Sequence, residues 1–475
     1  MTHEPHESRV NGGTNCTIIL FGASGDLSRR KLIPALYALV KANKFKKFLI
    51  IGAAKDQVTA QQILARAKGF IANVDEAPWQ ILTEAFHYHE LDFKKVDDFK
   101  QLASKVKELE KKAGLSGNRI VYVAAASDFF IPITENCAAS GLVKKYEPNE
   151  NTWQRIVYEK PFGKDLASAQ AINKCIANLF DEKQIFRIDH YLTKEIVGNI
   201  ALVRFTNCVF EPLWDNRYID NVQIILSEKV CIEGRGVYFD AYGALKDVVQ
   251  NHMLQLVSLI AMEAPYQLTG EYIRNERALV LDRVRIVDGI LGQCDTYAQE
   301  PGVKPNSTTE TFAALQLMID NPRWAGVPFY LRTGKCLNKK ETIIHIKFKQ
   351  VDCLLSKACP SDSNYLTIKV APEASFALEL NAKKVGAAYE VTPIKMEFCH
   401  SCVFGPYTPD AHEVLLEEIM RGEQAVSVRF DEIESAWKII DKIKAMNFPL
   451  YRYKSGSAGP KEMETFAKKH GARLR

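Results

Sequence analysis

Hydrophobic and polar positions alternate in blocks over the first 190 residues of the chain. Short apolar runs typical of strands are separated by longer amphipathic stretches typical of helices, for example at 31–42 and 96–113. The predicted strands are 17–21, 48–51, 86–91, 119–125 and 155–158. Because strands that alternate with helices form parallel sheets, we predict an α/β domain with a doubly wound, Rossmann-like parallel sheet. Such a sheet binds ligands at the carboxyl ends of its strands.

The pattern changes after residue 190. A long helical stretch over 243–262 is followed by segments that alternate with a period of two, such as 342–348 and 365–370. This combination predicts an α+β C-terminal domain in which a large antiparallel sheet packs on helices. The polar residues 1–15 lack the apolar segment of a signal peptide and predict a disordered leader. The predicted domains are therefore 16–190 and 191–475.

Composition narrows the class of protein. At 475 residues the chain exceeds what one hydrophobic core usually supports, which agrees with two domains. A net charge of +5, from 62 basic and 57 acidic residues, gives no reason to expect nucleic acid binding. No apolar run approaches the roughly 20 residues that cross a bilayer, so no membrane association is predicted.

Cysteine usage favours a reducing compartment. The 11 cysteines are scattered and odd in number, which predicts reduced thiols in a cytoplasmic protein rather than a disulfide framework. Cys399 and Cys402 form a CxxC motif, which could bind zinc or cycle as a redox pair. A structural zinc site needs four ligands, and no second pair is suitably spaced. Residues 388–397 alternate like a strand, so an ordinary structural role is favoured and no metal site is predicted.

A glycine-containing loop follows the first predicted strand. It comprises Gly22, Ala23, Ser24, Gly25, Asp26 and Leu27. Glycines let backbone N–H groups approach a pyrophosphate at a helix start, so this loop is a candidate dinucleotide site. Its GxxGxL spacing departs from GxGxxG, and an ordinary turn explains it equally well. After the second strand, Lys55 suits a 2′-phosphate, whereas the adjacent Asp56 suits an unphosphorylated ribose.

Two further segments carry cations suited to an anionic substrate. Lys160 follows the fifth predicted strand, where cofactor and substrate would meet, and a solvated turn is an equal alternative. If the chain is helical from about Asp189, His190 and Lys194 share one face and form a candidate phosphate clamp. The ordinary end of an amphipathic helix explains the same residues and is favoured on local evidence.

His252 interrupts a helical stripe of otherwise apolar residues. The stripe consists of Leu245, Val248, His252, Leu256 and Ile260. A lone histidine on such a face is more often a hydrogen-bonded core residue than a catalyst, but it is also a candidate general base. An acidic partner would favour catalysis, and Asp189 is a candidate that sequence alone does not place beside it.

The order of these motifs resembles one family. GASGDL, EKPFG, RIDHYLTKE, EGRGVYFD and DVVQNHMLQ occur in the order, and at the approximate distances, found in glucose-6-phosphate dehydrogenases. YLRTGK at 330–335, and the segments at 409–411 and 459–461, are similar to later motifs of that family. The resemblance extends from about residue 17 to residue 471.

The resemblance implies an enzyme that oxidises C1 of glucose 6-phosphate to 6-phosphogluconolactone, the first step of the oxidative pentose phosphate pathway. It implies that His252 is the base, that Asp189 orients it, and that hydride passes to NADP, with NAD as a weaker alternative and no metal. It also implies a homodimer, or a dimer of dimers, built through the sheet of the second domain. The implied substrate residues are His190, Tyr191 and Lys194 for the phosphate, Glu228 and Asp247 for the hydroxyls, and Lys160, Lys335 and Lys340 for the rest of the sugar site. The implied cofactor residues are the loop from Gly22 to Leu27, Lys55 and Lys160.

Several positions depart from the family pattern. Lys55 stands where an arginine is expected, and Thr193 stands where relatives carry glycine. Ser127 replaces a proline, and His412 replaces a tyrosine. These changes leave the proton-transfer groups in place.

Two other functions stay open. One is a dehydrogenase of the same mechanism that acts on another hexose 6-phosphate or on free glucose, although the candidate phosphate clamp disfavours free glucose. The other is a non-catalytic sugar-phosphate sensor, which would have no need to retain His252, Asp189 and Lys160 together.

Overall fold

The computed structural model of the chain describes residues 13–148, 150–351, 363–387, 390–399, 402–403 and 409–475. The chain forms two compact units: the first comprises Met1–Thr193 and Pro409–Val428, and the second comprises Lys194–Thr408 and Arg429–Arg475. The division after Thr193 lies close to the predicted boundary. Residues 409–428, which the sequence analysis places in the second domain, belong to the first compact unit.

The first unit is built on a parallel sheet, as predicted. Among the described residues its strands are β1 (Thr14–Phe21), β2 (Phe45–Ala54), β3 (Phe86–Glu90), β4 (Arg119–Val123), β5 (Gln154–Glu159) and β6 (Ile185–Ile188). They lie in the order β3-β2-β1-β4-β5-β6, and all neighbouring pairs are parallel. This is a doubly wound order, which places the ligand crevice at the carboxyl ends of β1 and β4. Residues 1–12 of the predicted leader lie outside the described residues.

Helices cover both faces of this sheet. They are α1 (Ile33–Lys41), α2 (Ala60–Lys68), α3 (Glu76–Ala85), α4 (Val96–Ala113), α5 (Phe130–Ala139) and α6 (Leu166–Leu179). In β1, Ile18 and Leu20 join a hydrophobic core with α1, whereas Ile19 and Phe21 join a core with α4. Burial on both faces explains why β1 is a continuous apolar run rather than an alternating one.

The second unit contains a large sheet of mixed direction. Its strands in the described residues are β7 (Ile219–Ser227), β8 (Val284–Cys294), β9 (Phe312–Ile319), β10 (Phe329–Gly334), β11 (Glu341–Phe348), β12 (Tyr365–Ala371), β13 (Ser375–Lys383), β14 (Val391–Cys399) and β15 (Leu450–Tyr453). They lie in the order β14-β13-β12-β11-β7-β10-β9-β8-β15. The predicted α+β architecture is confirmed, but the pairs β7–β10 and β8–β15 are parallel rather than antiparallel. The first of these pairs aligns Ser227 with Gly334, so the loops that follow β7 and β10 leave the sheet side by side.

The long helix predicted over 243–262 is divided into shorter segments. The helices in this part of the unit are α7 (Glu195–Thr206), α8 (Gly236–Ala244), α9 (Leu254–Ala261) and α10 (Gly270–Asp282). Between α8 and α9, residues Leu245–Met253 are π-helical. The kink lies at Gly243, whose φ is +65°, and a Cβ there would approach the Glu310 carboxylate to 2.3 Å. Leu245 N–H donates to the same carboxylate at 3.0 Å, which fixes the start of the π-helical segment.

The return segment of the first unit forms α11 (Ala411–Arg421). Its apolar face contributes Leu415, Leu416 and Ile419 to the core that contains α1. The guanidinium of Arg155 donates to the carbonyl of Ile419 at 2.5 Å and to that of Met420 at 2.8 Å. An amphipathic pattern predicts such a helix but does not indicate which sheet it covers, so the sequence did not predict that this segment packs in the first unit.

The last helices return to the second unit as α12 (Phe430–Ala445) and α13 (Met463–Lys469). Arg277 of α10 donates to the Glu432 carboxylate of α12 through two nitrogens, at 2.7 and 2.9 Å. Both side chains are buried, so the bidentate pair neutralises charges that water does not reach. This pair joins α10 to α12.

Two pairs of cysteines contradict the prediction of reduced thiols. Cys231 is bonded to Cys336, and Cys399 is bonded to Cys402. The first pair is 105 residues apart in sequence, and the residues meet because β7 and β10 are neighbours. Of the CxxC motif, residues 400–401 lie outside the described part of the chain. Within the described residues, every helix is too short or too polar to span a membrane.

Candidate active site

The glycine-containing loop lies at the carboxyl end of β1, in the middle of the parallel sheet. Gly22 has a φ of +79°, and a Cβ there would lie 2.3 Å from the Ala124 carbonyl oxygen, so a side chain is excluded. The Ser28 hydroxyl donates to the Gly22 carbonyl at 2.8 Å, and Gly25 N–H donates to the same carbonyl at 3.0 Å. The result is a tight turn in which backbone N–H groups, unshielded by a side chain at Gly22, lie at the carboxyl ends of the strands, where such sheets bind ligands. This geometry fits a dinucleotide pyrophosphate.

Charged side chains surround this loop. The Asp26 carboxylate accepts hydrogen bonds from Arg29 at 2.5 Å and from Arg30 at 2.9 Å. The bond from Arg29 is the main cause that lowers the pKa of Asp26. The two arginines therefore more than neutralise the acid that follows the glycine turn. Together, Asp26, Arg29 and Arg30 carry a net positive charge beside the loop.

The structure separates the side chains of Lys55 and Asp56, which follow β2. The Ser24 hydroxyl donates to the Asp56 carboxylate, so Asp56 lies beside the glycine loop. The Tyr88 hydroxyl fixes the backbone of this segment by donating to the Asp56 carbonyl at 2.6 Å. The exposed Lys55 instead places its Nζ 3.6 Å from an Asp92 carboxylate oxygen. The two residues thus differ in position as well as in charge.

The EKPFG segment begins at the carboxyl end of β5. Glu159 accepts a hydrogen bond from the Tyr122 hydroxyl at 2.5 Å, and burial raises the pKa of its carboxyl. The His412 ring of α11 lies 4.0 Å from the same carboxylate. Lys160 follows at the ligand edge of the sheet, and its peptide bond to Pro161 is cis. His412, which stands where the family pattern has tyrosine, therefore lies close to Glu159 of the EKPFG motif.

The segment after β6 is a turn, so the helix from about Asp189 on which a shared face of His190 and Lys194 depended is not formed. The Asp189 carboxylate accepts a hydrogen bond from Tyr191 N–H at 2.9 Å, and the Asp189 carbonyl accepts one from Leu192 N–H at 3.0 Å. An aspartate that bonds the backbone two residues later favours a turn over a helix. The rings of His190 and Tyr191 are in contact, with centroids 5.1 Å apart. Helix α7 starts only at Glu195, so His190 and Lys194 do not share a helix face.

A charged cluster that is only partly exposed lies in the second unit, where the loops after β7 and β10 run side by side. Lys335 contacts the Glu228 carboxylate, and its Nζ lies 3.6 Å from a carboxylate oxygen of Asp247. The Lys335 side chain is only 7% exposed. These three residues were predicted to line the sugar site and are brought together. Lys340 lies exposed in the loop that leads into β11.

Tyr238 joins this cluster although no role was predicted for it. Its hydroxyl donates to the Asp247 carboxylate at 3.4 Å, and burial, followed by the charge of Asp247, raises its pKa. Tyr238 belongs to the EGRGVYFD motif, so a signal was present in the sequence. What the sequence lacked was the contact between α8 and the π-helical segment that makes the tyrosine a partner of Asp247.

His252 lies on the same π-helical segment as Asp247 and is 3% exposed. The rest of the predicted stripe, from Leu245 to Ile260, is also buried. π-Helical segments are rare and occur frequently at functional sites. A buried, titratable ring five positions after a carboxylate of the charged cluster is suited to proton transfer.

Two family models together match nearly the whole chain. One, described as "Glucose-6-phosphate dehydrogenase, NAD binding domain", matches residues 19–199, and another, described as its "C-terminal domain", matches residues 201–475. The chain is 38% identical to a glucose-6-phosphate 1-dehydrogenase of Bacillus subtilis, over 98% of this chain and 99% of that protein. It is 36% identical to a chloroplastic glucose-6-phosphate 1-dehydrogenase of Spinacia oleracea, over 96% of this chain and 83% of that protein.

Solved structures give the same similarity in three dimensions. A glucose-6-phosphate dehydrogenase in complex with its substrate glucose-6-phosphate superposes with a TM-score of 0.90 at 31% identity, covering 98% of this chain and 99% of that one. A glucose-6-phosphate 1-dehydrogenase from Mycobacterium avium gives a TM-score of 0.84 at 31% identity, covering 97% and 99%. The similarity therefore extends over both units.

Proposed function

The chain belongs to the glucose-6-phosphate dehydrogenase family, and we propose that it oxidises C1 of glucose 6-phosphate to 6-phosphogluconolactone. The observation that carries this proposal is the charged cluster of Lys335, Glu228 and Asp247, with His252 on the same π-helical segment as Asp247. A cation held between two carboxylates offers donors and acceptors to neighbouring sugar hydroxyls. In this proposal His252 supplies the base that an alcohol oxidation requires.

In the proposed reaction His252 takes the proton of the C1 hydroxyl. A neutral imidazole performs this step with the ring nitrogen that faces the hydroxyl, while its other N–H is held by an acceptor. We assign that acceptor role to Asp189, on the strength of the motif resemblance, because a carboxylate stabilises the imidazolium that forms. A nicotinamide bound at the first unit would supply the acceptor for the hydride that leaves C1.

The remaining substrate residues divide by chemistry. His190, Tyr191 and Lys194 are proposed to bind the 6-phosphate, which needs charge-assisted donors. Glu228 and Asp247 accept hydrogen bonds from sugar hydroxyls in this proposal. Lysines complete the sugar site, and these are Lys160, Lys335 and Lys340.

Initial rates with related sugars test the substrate assignment. Glucose 6-phosphate, mannose 6-phosphate and free glucose should be compared at equal cofactor concentration, and kcat/KM should be highest for glucose 6-phosphate. A higher kcat/KM for mannose 6-phosphate would show that mannose 6-phosphate is the preferred substrate, and the proposed mechanism would still apply. Tight binding of glucose 6-phosphate without cofactor reduction would instead support the sugar-phosphate sensor.

A nicotinamide dinucleotide is the cofactor that the NAD-binding family model indicates, and the tight turn at Gly22 fits its pyrophosphate. Between the two forms we propose NADP, with NAD as the weaker alternative. Lys55 is the cation available for a 2′-phosphate. Asp56 opposes it, because its carboxylate already accepts a hydrogen bond from Ser24 and would repel a phosphate.

Asp56→Ser is expected to raise the ratio of kcat/KM for NADP to that for NAD by about 5-fold, equivalent to about 1 kcal/mol of charge repulsion in water at roughly 4 Å. Lys55→Ala should lower the efficiency with NADP and leave that with NAD nearly intact. Lys46→Ala, at the amino end of β2, is the matched control and should leave the ratio unchanged. Equal ratios in all four proteins would place Lys55 and Asp56 outside the cofactor site.

Two other expectations stay predictions. The first is assembly as a homodimer, or a dimer of dimers, through the large sheet of the second unit. Analytical ultracentrifugation tests this prediction. The other is a cytoplasmic location, which fractionation of the source cells tests.

A further inference from the structure

The π-helical segment that carries Asp247 and His252 begins at a kink and has no cap of its own. The chain leaves α8 at Gly243, whose φ of +65° lies outside the helical region. Ala244 comes next, and its side chain offers no acceptor to the backbone N–H groups at the start of the segment. These N–H groups therefore need acceptors from another part of the chain.

Glu310 supplies two of these acceptors. Its backbone carbonyl accepts from Ala244 N–H at 2.9 Å, and its carboxylate accepts from Leu245 N–H at 3.0 Å. An anionic acceptor at the start of a helix is also stabilised by the helix dipole. Glu310 thus caps the segment, although it lies 65 residues after Leu245 in the sequence.

The surroundings of Glu310 are suited to a carboxylate. A Cβ at Gly243 would lie 2.3 Å from one carboxylate oxygen and 2.8 Å from the other, so the glycine leaves the space that the cap occupies. Burial raises the pKa of this carboxyl. The bonds from the N–H groups of Leu245 and of Glu310 itself, and then the charges of Lys444 and Lys246, oppose that rise. A missing side chain, two backbone donors and two cations together hold the carboxylate at this position.

The residues on either side of Glu310 hold other parts of the charged site. The Thr309 hydroxyl donates to the Asp240 carbonyl of α8 at 2.8 Å. The Thr311 carbonyl accepts from Lys335 N–H at 2.9 Å, and Thr311 N–H donates to a carbonyl of β8 at 2.8 Å. Three consecutive residues therefore connect α8, the π-helical segment and Lys335 to the large sheet.

We propose that Glu310 is a positioning residue for the oxidation of the sugar phosphate, because its carboxylate fixes the start of the segment that carries Asp247 and His252. The inference rests on the proposed function, since it concerns residues assigned to hydroxyl binding and to proton transfer. Asp247 lies two residues after the capped Leu245, and His252 lies seven residues after it. A displacement of about 1 Å at a reacting group costs about 10²-fold in rate, so a loosened segment slows the reaction.

Three substitutions of Glu310 separate the reach of its side chain from its charge. Glu310→Gln keeps an oxygen at the same reach without the charge, Glu310→Asp keeps the charge on a shorter side chain, and Glu310→Ala removes the acceptor. We expect kcat with glucose 6-phosphate to fall by about 10- to 100-fold in the alanine and aspartate variants. In Glu310→Gln it should stay within about 3-fold of wild type, because the amide oxygen still accepts from Leu245 N–H. The KM for the cofactor should change little in all three.

A single-turnover measurement distinguishes positioning from a loss of folded enzyme. Rapid mixing of excess enzyme and saturating cofactor with glucose 6-phosphate gives the rate constant of cofactor reduction for bound substrate, which does not depend on the folded fraction. This rate constant should fall in Glu310→Ala and Glu310→Asp as kcat does. Glu276→Ala is the matched control, because burial also raises the pKa of the Glu276 carboxyl, which lies on α10. It should leave both kcat and the single-turnover rate constant unchanged.

Several results would overturn the inference and leave the proposed function intact. One is a wild-type kcat in Glu310→Ala, and another is a lower kcat with an unchanged single-turnover rate constant. Activity that survives in Glu310→Asp but is lost in Glu310→Gln would show that charge matters and reach does not. If Glu310→Ala does not fold, the aspartate and glutamine variants decide the question. Wild-type enzyme that binds glucose 6-phosphate and leaves the cofactor oxidised would overturn the proposed function itself, and this inference with it.

Discussion

Replacing His252 with asparagine is expected to lower kcat by about 10²–10⁴-fold, the contribution of a positioned general base. Asparagine is polar and of similar size, but it does not accept a proton at neutral pH. The KM for glucose 6-phosphate should change much less, because the proposed phosphate and hydroxyl contacts come from other residues. Steady-state kinetics with saturating cofactor measure both parameters.

His345 provides a matched control for this substitution. It is a buried histidine of the same unit, its ring lies 2.9 Å from the Thr367 hydroxyl, and burial lowers its pKa to about 4. His345→Asn should leave kcat largely unchanged, although it removes a buried histidine in the same way. If His252→Asn retains more than half of the wild-type kcat, His252 is not the base.

Lys194→Ala is expected to raise the KM for glucose 6-phosphate by about 10- to 150-fold, because a charge-assisted hydrogen bond contributes about 1.5–3 kcal/mol. Lys194 immediately precedes α7, so an anion it binds also lies near the positive end of the helix dipole. Turnover with free glucose, which lacks the phosphate, should change little.

Lys438→Ala is the control for the loss of a lysine. Lys438 lies in α12 and forms a half-exposed ion pair with Glu434 at 3.1 Å. Its removal should leave the kinetics with both sugars unchanged. Equal damage by Lys194→Ala to turnover of glucose and of glucose 6-phosphate would show that Lys194 does not bind the phosphate.

Apolar runs and helical periodicity were sufficient to predict most of the parallel sheet. Helix α4 has the predicted bounds, Val96–Ala113, because its amphipathic pattern is long and Gly114 ends it in the left-handed conformation. Strand β6 was missed because it has four residues and contains Arg187, which is buried by pairing with Glu182 at 2.7 Å. Local hydrophobicity does not identify a buried arginine whose charge a nearby glutamate neutralises.

Contacts between distant segments were the features that sequence did not predict. The turn after β6 depends on the Asp189 side chain bonding its own backbone, which competes with the helix that the spacing suggested. The return of α11 to the first unit and the Cys231–Cys336 disulfide depend on which segments become neighbours. The parallel pairing of β7 with β10 creates both this disulfide and the cluster around Lys335. Motif order identified the cluster residues, but not their mutual distances.

Transfer of the C1 hydrogen tests the proposed function most directly. Glucose 6-phosphate deuterated at C1 should be incubated with the enzyme and oxidised cofactor, and the reduced cofactor should be analysed by mass spectrometry and proton NMR. We expect one deuterium at C4 of the nicotinamide for each molecule of lactone formed, and no transfer with His252→Asn on the same time scale. Glucose 6-phosphate that binds but leaves the cofactor oxidised, or reduced cofactor that carries no deuterium, would contradict the proposed oxidation at C1.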